Sequence, residues 1–260
     1  MESNTTHMDP NYTPVDIKTP YDIVDLPSQG LLYDNKKSKI QVEYLTAMDE
    51  SILSAPNLAN DTQGMIDILL KRKIKDKDIK VEDLLDGDRT AILIFLRATG
   101  LGEKYTQMVW DDGADDFVPG EIDLTTLKQI KLEIRPDENG EFDYELPVSN
   151  KKIKFKFLTG KDEKNVSEMD KVLMERSTEK ISNKLFLRLE KSITEIDGNR
   201  DKITLSNILK HLTIKDARSL RKYIADNEPG LDFNTTARTP GGASVACFLR
   251  FNQSFFWPEL

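Results

Sequence analysis

The segment from Asp88 to Thr99, DRTAILIFLRAT, constrains this fold more than any other. Ala91, Ile92, Leu93, Ile94, Phe95 and Leu96 follow one another, so a helix here is apolar nearly all round. Such a helix must be covered on every side. It falls short of the roughly 18 apolar residues that a bilayer crossing takes, so its cover comes from the rest of the chain. Gly100 and Gly102 are placed to stop it. It is therefore predicted to be the centre of a first core.

The pattern before this helix is mixed. Leu26-Pro27 gives an extended entry and Gly30 a turn, followed by Leu31, Leu32 and Tyr33. KIQVEYL (Lys39 to Leu45) alternates as a strand does and is expected to pair with the LLY segment as a hairpin. Thr46 suits an N-cap, with Asp49 and Glu50 in the first turn. A second helix, capped by Asn60, Asp61 or Thr62, carries Met65, Ile66, Ile68, Leu69 and Leu70 on one face. In Gly87-Asp88-Arg89, the acid is expected to cap the apolar helix and Arg89 to lie on its exposed edge.

From Lys104 the period becomes two. Strands are predicted over Tyr105 to Trp110, Phe117 to Leu124, Ile130 to Ile134, Phe142 to Leu146 and Ile153 to Leu158, with turn residues between them. Helical spacing returns over Asp162 to Arg176, Leu185 to Ile196, from Thr204 or Ser206, and from Thr213 to Tyr223. Leu231 to Arg238 and Val245 to Phe251 then flank a turn at Pro240-Gly241-Gly242. The expectation is an α+β protein: helical bundle segments, a small antiparallel β insert and a C-terminal β-hairpin. The divisions are a flexible arm at 1–24, a hairpin plus helical region at 25–103, the β region at 104–158, a helical region at 159–228, and the hairpin with an aromatic anchor at 229–260. The anchor is Phe255, Phe256 and Trp257, whose burial stabilises a fold or an interface substantially.

Few residues point to chemistry. Two histidines cannot build the usual multi-histidine metal sites or triads: His7 lies in the arm, and His211 is placed to meet the last carbonyls of a helix. The single cysteine, Cys247, excludes an internal disulfide and reads as a small buried hydrophobe in a reducing compartment. No phosphate-binding glycine loop or nucleophile elbow occurs. Asp111, Asp112, Asp115 and Asp116 miss the calcium-loop spacing and read as a solvated loop. No catalytic residue, metal or cofactor is expected. The N-terminal stretch has neither the basic nor the apolar region of a signal peptide, and no membrane partner is expected.

The net charge of −8 lacks the basic footprint of a nucleic-acid binder. KRKIKDK (Lys71 to Lys77) reads as the solvated end of a helix. In KKIKFKF (Lys151 to Phe157), Lys152, Lys154 and Lys156 form one face of a strand, where lysines on an outer strand would discourage edge pairing.

Several segments together resemble the baseplate hub assembly proteins of T-even-like tailed bacteriophages, a family related to phage tail assembly chaperones. They are LPSQGLLY (Leu26 to Tyr33), the acidic short helix, DLLDGDRTAILIFLRATGLGEKY (Asp83 to Tyr105), LPVSNKKIKFKFLTGKDE (Leu146 to Glu163) and the closing FFWP. They occur in order across about residues 25 to 260. The resemblance implies a non-enzymatic hub assembly factor or hub component that contacts other tail and baseplate hub proteins, with homo-oligomers open to it. It would work in the host cytoplasm during assembly and in the tail baseplate. Family members often carry Cys-x-x-Cys pairs suited to a zinc ribbon. Here the matching regions read MVWDDG (Met108 to Gly113) and TPGGAS (Thr239 to Ser244), so zinc is not carried over. The rival reading is a degenerate zinc-ribbon-like regulator that binds nucleic acid; a carboxylate-metal enzyme comes third.

Overall fold

The computed structural model describes residues 19–54, 62–250 and 255–256. Trp257 and the segment 1–18, including His7, lie outside the described residues. The first elements are strands β1 (Tyr21–Asp25) and β2 (Lys39–Glu43), then helices α1 (Ala47–Leu53), α2 (Thr62–Lys73) and α3 (Asp86–Leu101). Strands β3 (Lys104–Asp111), β4 (Asp116–Asp123), β5 (Gln129–Ile130), β6 (Phe142–Glu145) and β7 (Lys152–Phe155) follow. The chain continues through α4 (Gly160–Arg176), α5 (Lys184–Ser192), β8 (Ile193–Ile196), α6 (Lys202–Lys210) and α7 (Ile214–Asn227). It ends in β9 (Gly230–Leu231), β10 (Asn234–Arg238) and β11 (Ser244–Phe248). Helices and small antiparallel sheets make this an α+β fold, as expected.

Helix α3 is the centre of the largest core. Ile92, Leu93, Ile94 and Leu96 are buried among Val24 and Ile40 of the first hairpin, Leu69 and Leu70 of α2, Tyr105 and Ile122 of the β3–β4 pair, and Phe255. Two further clusters lie around Ile153, Leu189 and Leu220, and around Phe142, Phe155 and Phe157. The local end signals hold. Thr46 and Asp49 form a capping box, as do Thr159 and Asp162. Thr213 caps α7. The His211 ring Nδ1 lies 2.7 Å from the Asn207 carbonyl at the end of α6. That helix is capped by Asp201, upstream of the Thr204 or Ser206 start read from the sequence.

Strand partners differ from the sequence reading. Strand β2 pairs with β1, not with the LLY segment, and β1 begins at Tyr21, inside the stretch assigned to the arm. Leu31 to Tyr33 are drawn into consecutive turns by bonds from Leu31 N–H to the Ser28 carbonyl and from Tyr33 N–H to that of Gly30, both 3.2 Å. The predicted β insert is shared among three sheets. Strands β3 and β4 join the C-terminal hairpin in the order β11-β10-β4-β3, β5 pairs with β9, and β6-β7-β8 form the third. The helix expected to run to Ile196 ends at Ser192, because Ile193–Ile196 pairs with β7 as β8 and buries both isoleucines.

Strand β7 is consequently central, and its lysines do not guard an outer edge. Lys154 reaches Asp137 at 2.7 Å and Asp143 at 3.3 Å, and Lys156 lies 3.7 Å from Asp162. The Lys71 to Lys77 run is a helix end solvated only in part, since Lys71, Arg72, Lys75 and Lys77 are exposed and Lys73 is not. Lys73 is buried against Asp49, and Arg72 binds the same carboxylate at 3.0 Å. Burial disfavours the Asp49 charge, but these cations and the Thr46 bonds hold its pKa down at about 2.

Candidate functional site

Three consecutive residues at the start of α3 each fix a different remote segment. Gly87 packs so closely on the Pro229 carbonyl that a β-carbon there would collide with it. Asp88 is fully buried and accepts from the Ser28 N–H (2.9 Å) and from the Ser28 and Tyr33 hydroxyls. The Tyr33 oxygen in turn accepts from the Leu85 N–H at 2.9 Å. Burial pushes the Asp88 carboxyl above its usual value, offset in part by these donors, and burial beside Asp88 pushes the Tyr33 hydroxyl up as well. Arg89 is also buried; it donates to the Val81 carbonyl at 2.9 Å and pairs with Asp67 of α2. The sequence reading of Asp88 as a helix cap and Arg89 as an exposed edge is therefore corrected: the N-cap position is Leu85, and both charges point inward.

Ser28 and Tyr33 of the LPSQGLLY segment make this clasp. Gly30 has φ +70°, and a β-carbon there would come within 2.5 Å of the Lys37 backbone, so only glycine lets the loop fold back on itself. A second clasp explains LPVSN: buried Asp216 of α7 accepts from the Val148 N–H at 2.8 Å and the Ser149 N–H at 3.2 Å.

Phe255 and Phe256 are buried in the largest core. Phe255 packs on Tyr105 with ring centroids 4.9 Å apart. Arg97 of α3 donates to the Phe255 carbonyl and to that of Gly102, both at 2.8 Å, with its guanidinium 5.7 Å from the Phe255 ring. No sequence motif pointed to Arg97, since an arginine in an apolar helix is normally placed on its outer edge.

The described surface leaves apolar side chains open elsewhere. On the outer face of the β3–β4 hairpin, Met108, Trp110 (44 % exposed) and Phe117 (54 %) lie together, with Trp110 and Phe117 edge to face at 5.3 Å. The four-stranded sheet curls so that its edge strands, β3 and β11, approach each other. Gln107 bridges them, donating to the Phe248 carbonyl at 2.9 Å and accepting from the Arg250 N–H at 3.0 Å. Next to the bridge lies an open groove of about 640 Å³ lined by Met108, Trp110, Phe117, Val245, Cys247 and Phe248. Cys247 is only partly buried there. The acidic turn beside it is tied up locally: Asp111 accepts from the Gly113 N–H and Asp112 from the Trp110 indole, both at 2.9 Å.

A carboxylate cluster forms where α3, α4 and α7 meet. Glu163 pairs with Arg188 at 2.7 Å and is pushed up by burial. Glu228 is pushed up to about 7 by burial and then by its neighbours Asp86 and Glu163. Among the described residues, no group of three or more His, Cys, Asp or Glu side chains is arranged to hold a metal ion, and no helix is long and apolar enough to cross a membrane.

Buried charges among the described residues hold distant segments together, and an open apolar groove lies at the surface between β3 and β11. The chain matches the family model described as T4 bacteriophage base plate protein over residues 21–257, and it belongs to that family. No curated protein and no solved structure matches it.

Proposed function

We propose that this protein is a hub assembly factor or hub component of the phage tail baseplate, acting through contacts with other tail proteins and without a chemical step. It works in the host cytoplasm during assembly and in the tail baseplate. Family membership supports the setting. The observation that carries the contact role is the groove between β3 and β11, where Met108, Trp110, Phe117 and Phe248 stay exposed on a chain with 32 % charged residues. Exposed aromatics around a groove mark interaction sites. Lys73 and Lys154 of the two lysine runs are paired to aspartates within the chain, which supports a protein partner over nucleic acid.

Co-expression with the tail and hub proteins of the same phage, followed by affinity capture, tests this. Wild type should retain a defined tail protein. Trp110→Ser with Phe117→Ser should lose it while melting as wild type does, because both side chains are exposed. Capture that survives the double change would refute the groove as the contact. Mass spectrometry of purified virions separates a component, which is present, from a transient factor, which is absent.

A further inference from the structure

Among the described residues, the first hairpin leaves one edge almost unpaired, and its register is self-complementary. Tyr44 N–H bonds to the Pro20 carbonyl and Leu26 N–H to the Ser38 carbonyl, so the even-numbered residues of β1 bond to β2. Antiparallel geometry then turns the N–H and C=O groups of Tyr21, Ile23 and Asp25 away from β2. Of these, only the Asp25 carbonyl has a partner among the described residues, a long 3.4 Å bond from the exposed Gln129 side chain. The opposite edge of the hairpin is covered: Asp76 accepts from the Gln41 N–H at 2.6 Å and Lys75 N–H donates to the Gln41 carbonyl at 3.0 Å. On β1, Tyr21 is 48 % and Ile23 60 % exposed.

We propose that β1 pairs antiparallel with β1 of a second copy of this chain, across a twofold axis at Ile23. Ile23 then faces Ile23 of the other copy, and Tyr21 faces its Asp25. Every outward N–H and C=O between Tyr21 and Asp25 finds a partner, and two hairpins become one four-stranded sheet. Charge fits this register. The Lys75 ammonium sits 4.3 Å over the Tyr21 ring, beside the position that Asp25 of the second copy takes. Neighbouring registers are worse. Tyr21 opposite Ile23 sets Asp22 against Asp22 at the closely spaced site, where like charges repel. Shifting the other way sets Tyr21 opposite Pro27, which has no N–H.

Sedimentation equilibrium of the full chain reads the dimer directly. Ile23→Pro removes an N–H that β2 does not use and should weaken self-association by about tenfold or more. Ile23→Lys, which leaves the backbone intact, should weaken it too, with melting in both unchanged from wild type at concentrations where wild type is monomeric. In a Cys247→Ser background, Ile23→Cys should form a disulfide-linked dimer on mild oxidation, and Met48→Cys, more exposed on α1, should not. A monomer at every concentration overturns the proposal, as does a dimer indifferent to both Ile23 changes. A monomer whose Ile23→Cys variant crosslinks instead to a co-expressed tail protein also overturns it, and assigns the edge to a strand of that protein.

Discussion

Asp88→Ala tests the clasp at the start of α3. The change strands three buried donors: the Ser28 N–H, the Ser28 hydroxyl and the Tyr33 hydroxyl. Each unsatisfied buried donor costs about 1–3 kcal/mol. Relief from burying a carboxylate offsets part of the sum, and the two hydroxyls can turn toward each other. A net loss of about 3 kcal/mol remains, a large share of a usual margin of about 5–15 kcal/mol. In a chain of this size that lowers the melting temperature by roughly 6–12 °C. Asp88→Asn keeps an acceptor for the Ser28 N–H and should lose only about 1 kcal/mol. The pH dependence has a defined sign. The folded carboxyl value lies above the unfolded one, so the Asp88 contribution is fullest at acid pH and declines as pH rises through the folded value. Asp88→Asn should remove that slope. Urea unfolding of the three proteins across pH 4 to 8 measures all of this. An alanine variant as stable as wild type, or less damaged than the asparagine variant, would show that the clasp does not hold the N-terminal loop to α3.

Other changes probe separate parts of the frame. Phe255→Ala should cost about 3–5 kcal/mol by chemical denaturation, since the ring is fully buried against Tyr105. Lys73→Met should cost about 2–3 kcal/mol at neutral pH by leaving the buried Asp49 with the half-exposed Arg72 as its remaining cation. The Asp49 contribution in wild type should fade as pH falls from its unfolded value toward about 2, a limb that acid titration followed by circular dichroism can read. Glu228 is raised to about 7, so its part in stability is full below its unfolded value and is lost as pH rises toward 7. Glu228→Gln should therefore melt higher than wild type at pH 8 and lie closer to it at pH 5; equal gains at both would contradict the assignment.

The sequence by itself determined the local and one-sided features. The unbroken apolar run of α3 required cover on all sides and received it. The caps at Thr46 and Thr213 and the β3–β4 and β10–β11 hairpins follow from residues close together in the chain, whereas the burial of Phe255 and Phe256 needs Arg97 and Tyr105 from far upstream. Tertiary structure decided which strands pair and which charges are buried. Alternation in β2 and β7 reports that one face is covered but not by which strand, so the β1 partner of β2 and the β8 partner of β7 were not legible. An aspartate beside an arginine at a helix start reads as surface, because burying a charge is costly without partners. For Asp88 the partners lie 60 and 55 residues away, in a loop that only the closed fold brings to it. Buried charges demand matched donors, and here those donors come from segments far apart in the chain.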